Sequence, residues 1–358
     1  MGPQLGKMAT VMQEPFPVLT HLTIRSKVGN VVVLPAKFLG GSAPRLQEVY
    51  LCGIPFPTLP TLLLSASDLV SLDLRSIPPT GYISPEAMVV GLAASPRLKF
   101  FVIGFQLATL HPDRIRPPPV TRSVLPALTT FHFQGAIEYL EDLVAQIDSP
   151  QLDQISVVYL NQLVDLRVAQ LRKFVDRSVG PKLILSMHAC ITVSRDRVSF
   201  DMYHHTYNPR SIFRPSITAV SCDGINWQVS YMAQVLSQFS ATLSNVVHLK
   251  VHLTLEAHPK EDRQLEGMDW LHLLRQFSTV QSLYVSRELA GHVALALEDM
   301  TGEMVAVVLP SLDLICLEGR PATSIEKFVA ARRLSDRPVT AINARTEFDE
   351  RFKSYVSE

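Results

Sequence analysis

The chain has 358 residues, of which 47% are apolar and 18% are charged, and this composition predicts a folded protein with a large core rather than a disordered chain. Its 33 basic and 33 acidic residues balance, so no net charge would draw it to nucleic acid or to an acidic membrane surface. No apolar run reaches 18 residues, and the N-terminal segment lacks the apolar core of a signal peptide.

Four scattered cysteines, Cys52, Cys190, Cys222 and Cys316, form neither a C-x-x-C pair nor a dense framework. A disulfide scaffold is therefore not expected. The sequence also contains no N-glycosylation sequon. These features favour a reducing compartment, and we expect the protein in the cytoplasm or the nucleus.

One motif recurs along the chain: an apolar residue, two others, a second apolar residue, one other, and a third apolar residue. Its first example is LTHLTI at residues 19–24, and successive examples begin 23 to 34 residues apart. A short motif that returns with a period of about 20 to 50 residues is typical of a solenoid. The eleven motifs begin at Leu19, Leu46, Leu69, Leu98, Leu128, Leu152, Leu183, Ile217, Val246, Val280 and Leu312.

A proline stands two residues before eight of the eleven motifs, as Pro44 does before Leu46 and Pro96 before Leu98. Proline has no backbone N–H and disfavours the helical conformation in the residue that precedes it. It is also excluded from the interior of a central strand. We therefore expect each of these prolines to end a helix and to stand just ahead of a strand whose apolar residues point inward.

Segments between the motifs have the apolar spacing that is typical of amphipathic helices. The first of them adds a serine cap, Ser84, and a proline at the first helical position, Pro85. Repeated alternation of strand and helix predicts parallel strands with crossover helices on one side. The predicted helices are 84–95, 136–149, 227–240, 269–278 and 324–335.

The motif L-x-x-L-x-L resembles the leucine-rich repeat, in its longer, helix-bearing class. Nearly every motif lacks the Asn or Cys expected three residues after the last apolar position, so the repeat is degenerate. We predict an α/β fold, a leucine-rich-repeat solenoid (horseshoe) with a parallel concave sheet and outer helices. The predicted organisation is a tail at 1–15, one repeat domain at 16–340 with an irregular insertion near 186–214, and a polar tail at 341–358.

Two stretches carry a further similarity, LPALTTFHFQGAIEYLEDLVAQIDSPQLDQISVVYLNQL and FVAARRLSDRPVTAI. Through them the chain resembles the fungal, mainly mushroom-type, F-box/leucine-rich-repeat proteins. In that family an F-box docks the adaptor of a cullin-type ubiquitin ligase, and the repeats present the target protein. Only about 15 residues precede the first motif, too few for an F-box, so we expect the repeat region alone, with adaptor binding dependent on an F-box upstream.

The residues between the apolar positions should face outward on the concave side, where solenoids commonly bind proteins. We expect a non-enzymatic interaction scaffold, monomeric and without a cofactor, that binds a protein target and neither nucleic acid nor a membrane. The alternative for this surface is a solvated sheet face without a partner. The candidate residues are Arg25, Tyr50, Asp73, Arg75, Phe100, His132, Gln134, Asp223, His248, Lys250, His252 and Tyr284.

A second interpretation is an enzyme or a metal-binding protein that uses histidines and cysteines of residues 188–223. Cys190 beside His188, and Cys222 beside Asp223, suggest a thiol nucleophile. Cys222, however, occupies an inward motif position, and a buried cysteine usually behaves as a small apolar residue.

A metal site has weaker support. His248 and His252 would point the same way from one strand, but roughly 13 Å apart, too far for one zinc ion. The pair His204–His205 lies in a polar and aromatic segment that we interpret as a loop or an extra hairpin.

Overall fold

The computed structural model describes residues 11–26, 33–106, 121–160, 168–179, 187–194, 196–203, 214–220, 227–254, 269–298, 300, 304–320 and 322–342. The chain divides into two compact units. Unit 1 comprises Met1–Gln162 and Arg167–Gly180, and unit 2 comprises Leu163–Leu166 and Pro181–Glu358. Both units are mixed α/β structures with mostly parallel strands, as the alternation of motifs and helices predicts.

The strands of unit 1 run in chain order through its main sheet, β1-β2-β3-β4-β6-β8, and every neighbouring pair is parallel. The short strands β5 and β7 form a separate parallel pair. The eight strands described in this unit are β1 (His21–Arg25), β2 (Glu48–Cys52), β3 (Ser71–Ile77), β4 (Phe100–Phe105), β5 (Ser123–Val124), β6 (Thr130–Gly135), β7 (Ile147–Asp148) and β8 (Gln154–Leu160).

The helices of unit 1 are described as α1 (Leu59–Leu63), α2 (Pro85–Ala93), α3 (Ile137–Ala145) and α4 (Ala169–Val179), with 3-10 turns at Phe38–Gly41 and Pro79–Gly81. The predicted cap of α2 is confirmed, because the Ala87 N–H donates to Ser84 Oγ at 3.2 Å. The predicted helix 136–149 is wrong at its end: Ile147 and Asp148 leave the helix and pair with β5.

The sheet register aligns the motifs of unit 1 with one another. The second apolar residue of each motif pairs with its equivalent on the next strand, and all six are buried: Leu22, Val49, Leu72, Phe101, Phe131 and Ile155. The rings of Phe101 and Phe131 stack at 5.4 Å, and Phe131 meets Phe174 of α4 edge-on at 6.3 Å. The apolar positions therefore point from the sheet toward the helices, and the residues between them face the other way.

Pro96 stands where it was predicted, between the end of α2 at Ala93 and the start of β4 at Phe100, and the structure adds a role in a turn. The Leu98 N–H bonds to the Ser95 carbonyl at 3.1 Å, and the Leu46 N–H bonds likewise to the Ala43 carbonyl at 3.1 Å. Pro96 and Pro44 are therefore the second residues of β-turns, where the fixed φ of proline is favourable. The first apolar residue of each such motif closes the turn, and the strand starts two residues later, for example at Phe100 after Leu98.

Neighbouring helices are joined by a half-buried carboxylate in each unit. Glu141 of α3 accepts the N–H groups of Gln170 and Leu171 at the start of α4, at 2.7 and 2.8 Å. Free N–H groups at a helix N-terminus favour such an acceptor. In unit 2, Glu298 accepts the N–H of Lys327 in the same way, at 2.9 Å.

Burial raises the pKa of Glu141 from 4.5 to about 7, against the opposing effect of its two backbone hydrogen bonds. Between these values the unfolded chain has lost the proton that the folded chain keeps, so stability falls as pH rises. We expect the wild type to lose about 3 kcal/mol relative to Glu141→Gln between pH 4.5 and pH 7.

Urea unfolding followed by circular dichroism at several pH values measures this difference. Glu138→Gln, at an exposed position on the same helix, is the matched control and should keep the pH dependence of the wild type. Parallel stability curves for the wild type and Glu141→Gln would contradict the assigned burial of this carboxyl group.

Unit 2 has its described strands in the order β11-β10-β9-β12-β13-β14-β15. Pairs from β12 to β15, and the pair β9–β12, are parallel, whereas β10 is antiparallel to β9 and to β11. The strands are β9 (Met187–Val193), β10 (Arg197–Tyr203), β11 (Arg214–Val220), β12 (Val246–Leu253), β13 (Ser282–Val285), β14 (Leu314–Leu317) and β15 (Thr340–Ile342).

The helices described in unit 2 include three at predicted places, α5, α7 and α10, which are shorter than predicted. The sequence analysis did not identify α8, although Leu289, Val293 and Leu297 follow helical spacing and are buried. The helices are α5 (Gln228–Leu236), α6 (Ser240–Leu243), α7 (Trp270–Leu274), α8 (Arg287–Glu298), α9 (Met304–Val307) and α10 (Glu326–Leu334), with 3-10 turns at Ser237–Phe239 and Ala322–Ile325.

Within the described ranges, no helix combines the length and the apolar composition that crossing a membrane requires.

The prediction of an entirely parallel sheet is wrong at β10. The Ser194 N–H bonds to the Arg197 carbonyl at 2.9 Å, and this tight turn reverses the chain between β9 and β10. The motif predicted at Ile217 is wrong as well, because Ile217 and Ala219 are buried alternately while Val220 lies on the other face. The motif requires its second apolar residue, here Val220, on the buried face, and the two-residue period of the strand places it on the opposite face. The motif at Leu183 lies outside the described residues.

Candidate protein-binding face

The outward face of unit 1 is the sheet surface opposite to its helices. Its side chains are exposed or half-buried, in contrast to the buried apolar positions between them. The sheet register arranges it in three rows. Row 1 is His21, Glu48, Ser71, Phe100, Thr130 and Gln154; row 2 is Thr23, Tyr50, Asp73, Val102, His132 and Ser156; row 3 begins Arg25, Cys52, Arg75 and continues with Gly104 and Gln134.

Charged and aromatic side chains of rows 2 and 3 contact one another. The Arg25 guanidinium lies 4.5 Å from the centre of the Tyr50 ring, in the geometry of a cation–π contact. Arg75 donates from Nε and Nη2 to the two carboxylate oxygens of Asp73, at 2.8 and 2.9 Å. This bidentate bond raises the pKa of Arg75, and it orients the guanidinium beside Tyr50.

The hydroxyl of Tyr50 is close to both arginines. Desolvation and a hydrogen bond with the Cys52 thiol raise the pKa of Tyr50, while the charges of Arg25 and Arg75 act in the opposite direction. Burial, together with the charge of Arg75, lowers the pKa of His132, so His132 favours its neutral form. The charge of Arg75 therefore affects the pKa of Tyr50 on β2 and the pKa of His132 on β6.

An exposed aromatic ring completes the outward face of unit 1. Phe100 in row 1 keeps 46% of its surface exposed, with Ser71 and Thr130 as its register neighbours. A large apolar ring held on a rigid strand loses little conformational entropy on binding. Phe100 is therefore a suitable anchor for a partner.

The outward face of unit 2 follows the same alternation on β10, β9, β12 and β13. The side chains that share this face are half-buried and mostly titratable or aromatic. They are His188, Cys190, Thr192, Ser199, Asp201, Tyr203, His248, Lys250, His252 and Tyr284.

Three rings form a stack across this face. His188 stacks on His248 with ring centres 4.6 Å apart and on Tyr203 at 5.6 Å. Beside the stack, Lys250 Nζ lies 5.4 Å from the centre of the Tyr284 ring, and the Tyr284 hydroxyl donates to Glu318 Oε2 at 2.6 Å. These contacts hold the rings and the ammonium group in fixed positions.

Cys190 is paired with a histidine, but not with its sequence neighbour His188. Its Sγ lies 3.4 Å from His252 Nδ1, and His252 Nε2 lies 3.4 Å from Thr192 Oγ1. Burial raises the pKa of Cys190, and burial followed by the charge of Lys250 lowers the pKa of His252. Both groups therefore favour their neutral forms, whereas a reactive cysteine needs a lowered pKa.

Eleven of the twelve candidate residues lie on the two outward faces, seven in unit 1 and four in unit 2. Asp223 lies outside the described residues, as do Cys222, His204 and His205. The sequence analysis missed Cys52 between the two arginines, the stack partner Tyr203, and Glu318. No pattern in the sequence brings Cys190 to His252, because 62 residues separate them.

Metal ligands and cavities are the remaining features that could mark a site for chemistry. The described residues contain no group of three or more His, Cys, Asp or Glu side chains that could hold a metal ion. A cavity of about 10 Å³ in unit 1 has only apolar lining side chains, among them Leu51, Leu74 and Ile83, and its volume admits about one water molecule. Cys52, Cys190 and Cys316, the described cysteines, are not joined in disulfide bonds.

Comparison with known proteins gives no match: no protein-family model matches the chain, and no curated protein matches it. Its family and its function are therefore proposals that rest on the geometry of the two faces and on the motif.

Proposed function

We propose that both units are arrays of leucine-rich type repeats, and that their outward faces recognise a protein partner without catalysing a reaction. The single observation that carries this proposal is the register of unit 1. It aligns equivalent motif positions over six strands, and it leaves the intervening side chains as continuous rows on a face opposite to the helices. Repeat arrays use such extended faces for binding.

The composition of the outward faces supports recognition of a protein. Energetically important interface residues are enriched in aromatic residues and arginine, and the two faces carry Tyr50, Phe100, Tyr284, Arg25 and Arg75. Several of these side chains are already held by contacts such as Arg25 over Tyr50. Side chains that are ordered before binding lose less entropy when a partner arrives.

The resemblance to F-box/leucine-rich-repeat proteins extends the proposal. By that resemblance, the two faces select the target of a cullin-type ubiquitin ligase, and an F-box supplies the contact with the ligase adaptor. The closing stretch that carries part of the resemblance includes α10 and β15, whose sequence is continuous with the last repeat of unit 2.

A second candidate function is thiol chemistry at Cys190, because its Sγ contacts His252 at 3.4 Å. The raised pKa of the thiol and the lowered pKa of His252 disfavour the ion pair that activates a cysteine nucleophile. We therefore place this function second. Cys190→Ala separates the two, because recognition should survive this change and thiol chemistry should not.

Affinity capture of the tagged chain from its own cells, quantified by mass spectrometry, tests the first proposal. Partners captured by the wild type should be lost on the triple change Tyr50→Ala, Phe100→Ala, Tyr284→Ala. They should be kept by Cys190→Ala and by a control with Val90→Ser and Leu295→Ser, exposed apolar positions on α2 and α8. Equal capture by the triple variant and the wild type would refute recognition through the outward faces.

A further inference from the structure

Two arginines flank one cysteine in row 3 of the outward face of unit 1. Arg25 and Arg75 are the register neighbours of Cys52 on either side. Adjacent strands lie roughly 4.8 Å apart, so the two arginine Cα atoms are separated by roughly 10 Å. The Arg25 guanidinium also lies 4.5 Å from the centre of the Tyr50 ring, one residue row away, and the charges of both arginines act on the Tyr50 hydroxyl. Two cations and a hydroxyl group thus converge on one region of the face.

The charges in this region are only partly balanced. Asp73 binds Arg75 through Nε and Nη2, which leaves other N–H donors of that guanidinium unused. Arg25 has no carboxylate partner among the described residues, and its recorded contact is the ring of Tyr50. The nearest acidic side chain of row 1, Glu48, instead lies 3.7 Å from His21 Nε2. The region therefore keeps an excess of positive charge and of hydrogen-bond donors.

Gly104 is the position of row 3 beside these donors that carries no side chain. This residue occupies the outward position of β4 between Arg75 and Gln134. A Cβ added there would meet Gln134 Cβ at 3.4 Å and the Leu74 carbonyl at 3.8 Å, which are ordinary contacts. The glycine therefore places no side chain over Arg75 at this position of the face.

We propose that Arg25, Tyr50 and Arg75 bind carboxylate side chains of an acidic segment of the protein partner. This inference rests on the proposed function, because it names the chemistry of the partner recognised by the outward face of unit 1. A planar carboxylate matches the arginine fork, as the bidentate bond between Arg75 and Asp73 shows within the same region. The guanidinium of Arg25, which has no carboxylate partner among the described residues, offers the same fork to a carboxylate that arrives from outside.

Fluorescence polarisation with three labelled peptides of identical length tests the inference. The first alternates glutamate with serine, the second has glutamine for every glutamate, and the third has phosphoserine at the same positions. The glutamate peptide should bind at low salt and weaken as salt rises, and the glutamine peptide should not bind. Equal binding of the glutamate and glutamine peptides, or tighter binding of the phosphoserine peptide, would overturn the assignment to carboxylates.

Variants locate the site. Arg25→Gln should weaken the glutamate peptide about tenfold. Gly104→Leu, which adds an apolar side chain beside Arg75 without changing any charge, should weaken it as well. This second variant keeps the test valid if Arg25→Gln lowers stability. Arg45→Gln, at an exposed arginine in the turn before β2, is the control and should bind as the wild type does.

An equal loss in Arg45→Gln and Arg25→Gln would show non-specific attraction and refute the site. The carboxylate site can fail while recognition of a protein partner by the outward faces holds. If no peptide binds but the captured partners still depend on Tyr50, Phe100 and Tyr284, recognition stands and the carboxylate site fails.

Discussion

Replacing Arg332 with alanine is expected to lower the free energy of unfolding of unit 2 by about 3 kcal/mol. Only 1% of the surface of Arg332 is exposed, although the residue lies in the last turn of α10. Its guanidinium donates to the carbonyl groups of Val305, Pro310 and Leu312 at 3.4, 3.3 and 3.1 Å. Burial lowers the pKa of Arg332, which reflects the desolvation that these bonds must offset.

The alanine variant leaves those three carbonyl groups without their donor and creates a cavity under α10. Both tryptophans of the chain, Trp227 and Trp270, belong to unit 2, so tryptophan fluorescence during urea unfolding reports this unit selectively. Arg333→Ala removes the same side chain from the exposed neighbouring position and should change stability by less than about 0.5 kcal/mol. Equal effects of the two changes would contradict the structural role of Arg332.

Replacing Phe131 with alanine should destabilise unit 1 by about 4 kcal/mol. Phe131 is fully buried, stacks on Phe101 at 5.4 Å and meets Phe174 of α4 at 6.3 Å. The alanine variant loses the apolar contacts with Phe101 and Phe174. It also leaves a cavity that the close-packed core cannot fill by relaxing.

Phe100→Ala is the matched control for Phe131→Ala. Phe100 lies on the adjacent strand β4 but faces outward, with 46% of its surface exposed, and its loss should cost less than about 1 kcal/mol. Hydrogen exchange of the amides in β4, β6 and β8, followed by mass spectrometry, measures both variants within unit 1. Similar losses of protection in Phe131→Ala and Phe100→Ala would contradict the assignment of Phe131 to the buried face and Phe100 to the outward face.

The sequence predicts the inward and outward faces well where one motif follows another in a parallel array. In unit 1 the motif positions are set by local sequence, and each strand pairs with the next one along the chain. Only apolar residues such as Leu22, Val49 and Leu72 can occupy the positions that face the helices. The outward positions follow by alternation, which is why Tyr50 and Arg75 lie where they were expected.

The predicted fold is wrong where strands do not pair in the order in which they follow one another along the chain. β9 contacts β12 directly and β10 is inserted as a hairpin, and no local pattern encodes either pairing. The contact of Cys190 with His252 depends on that pairing, so the sequence pointed instead to the neighbouring His188. The motif assigned at Ile217 is wrong as well, because β11 buries Ile217 and Ala219 and leaves Val220 on the other face.

The central claim is that a protein partner binds the outward faces rather than the helices. Photo-crosslinking from single benzoylphenylalanine substitutions, made in cells, tests it most directly. The strand positions are Phe100 and Tyr284, and the helix positions are Val90 and Leu295, which are 57% and 66% exposed. We predict crosslinks to a protein partner from Phe100 and from Tyr284, and none from Val90 or Leu295. Crosslinks from the helix positions alone would contradict recognition through the outward faces.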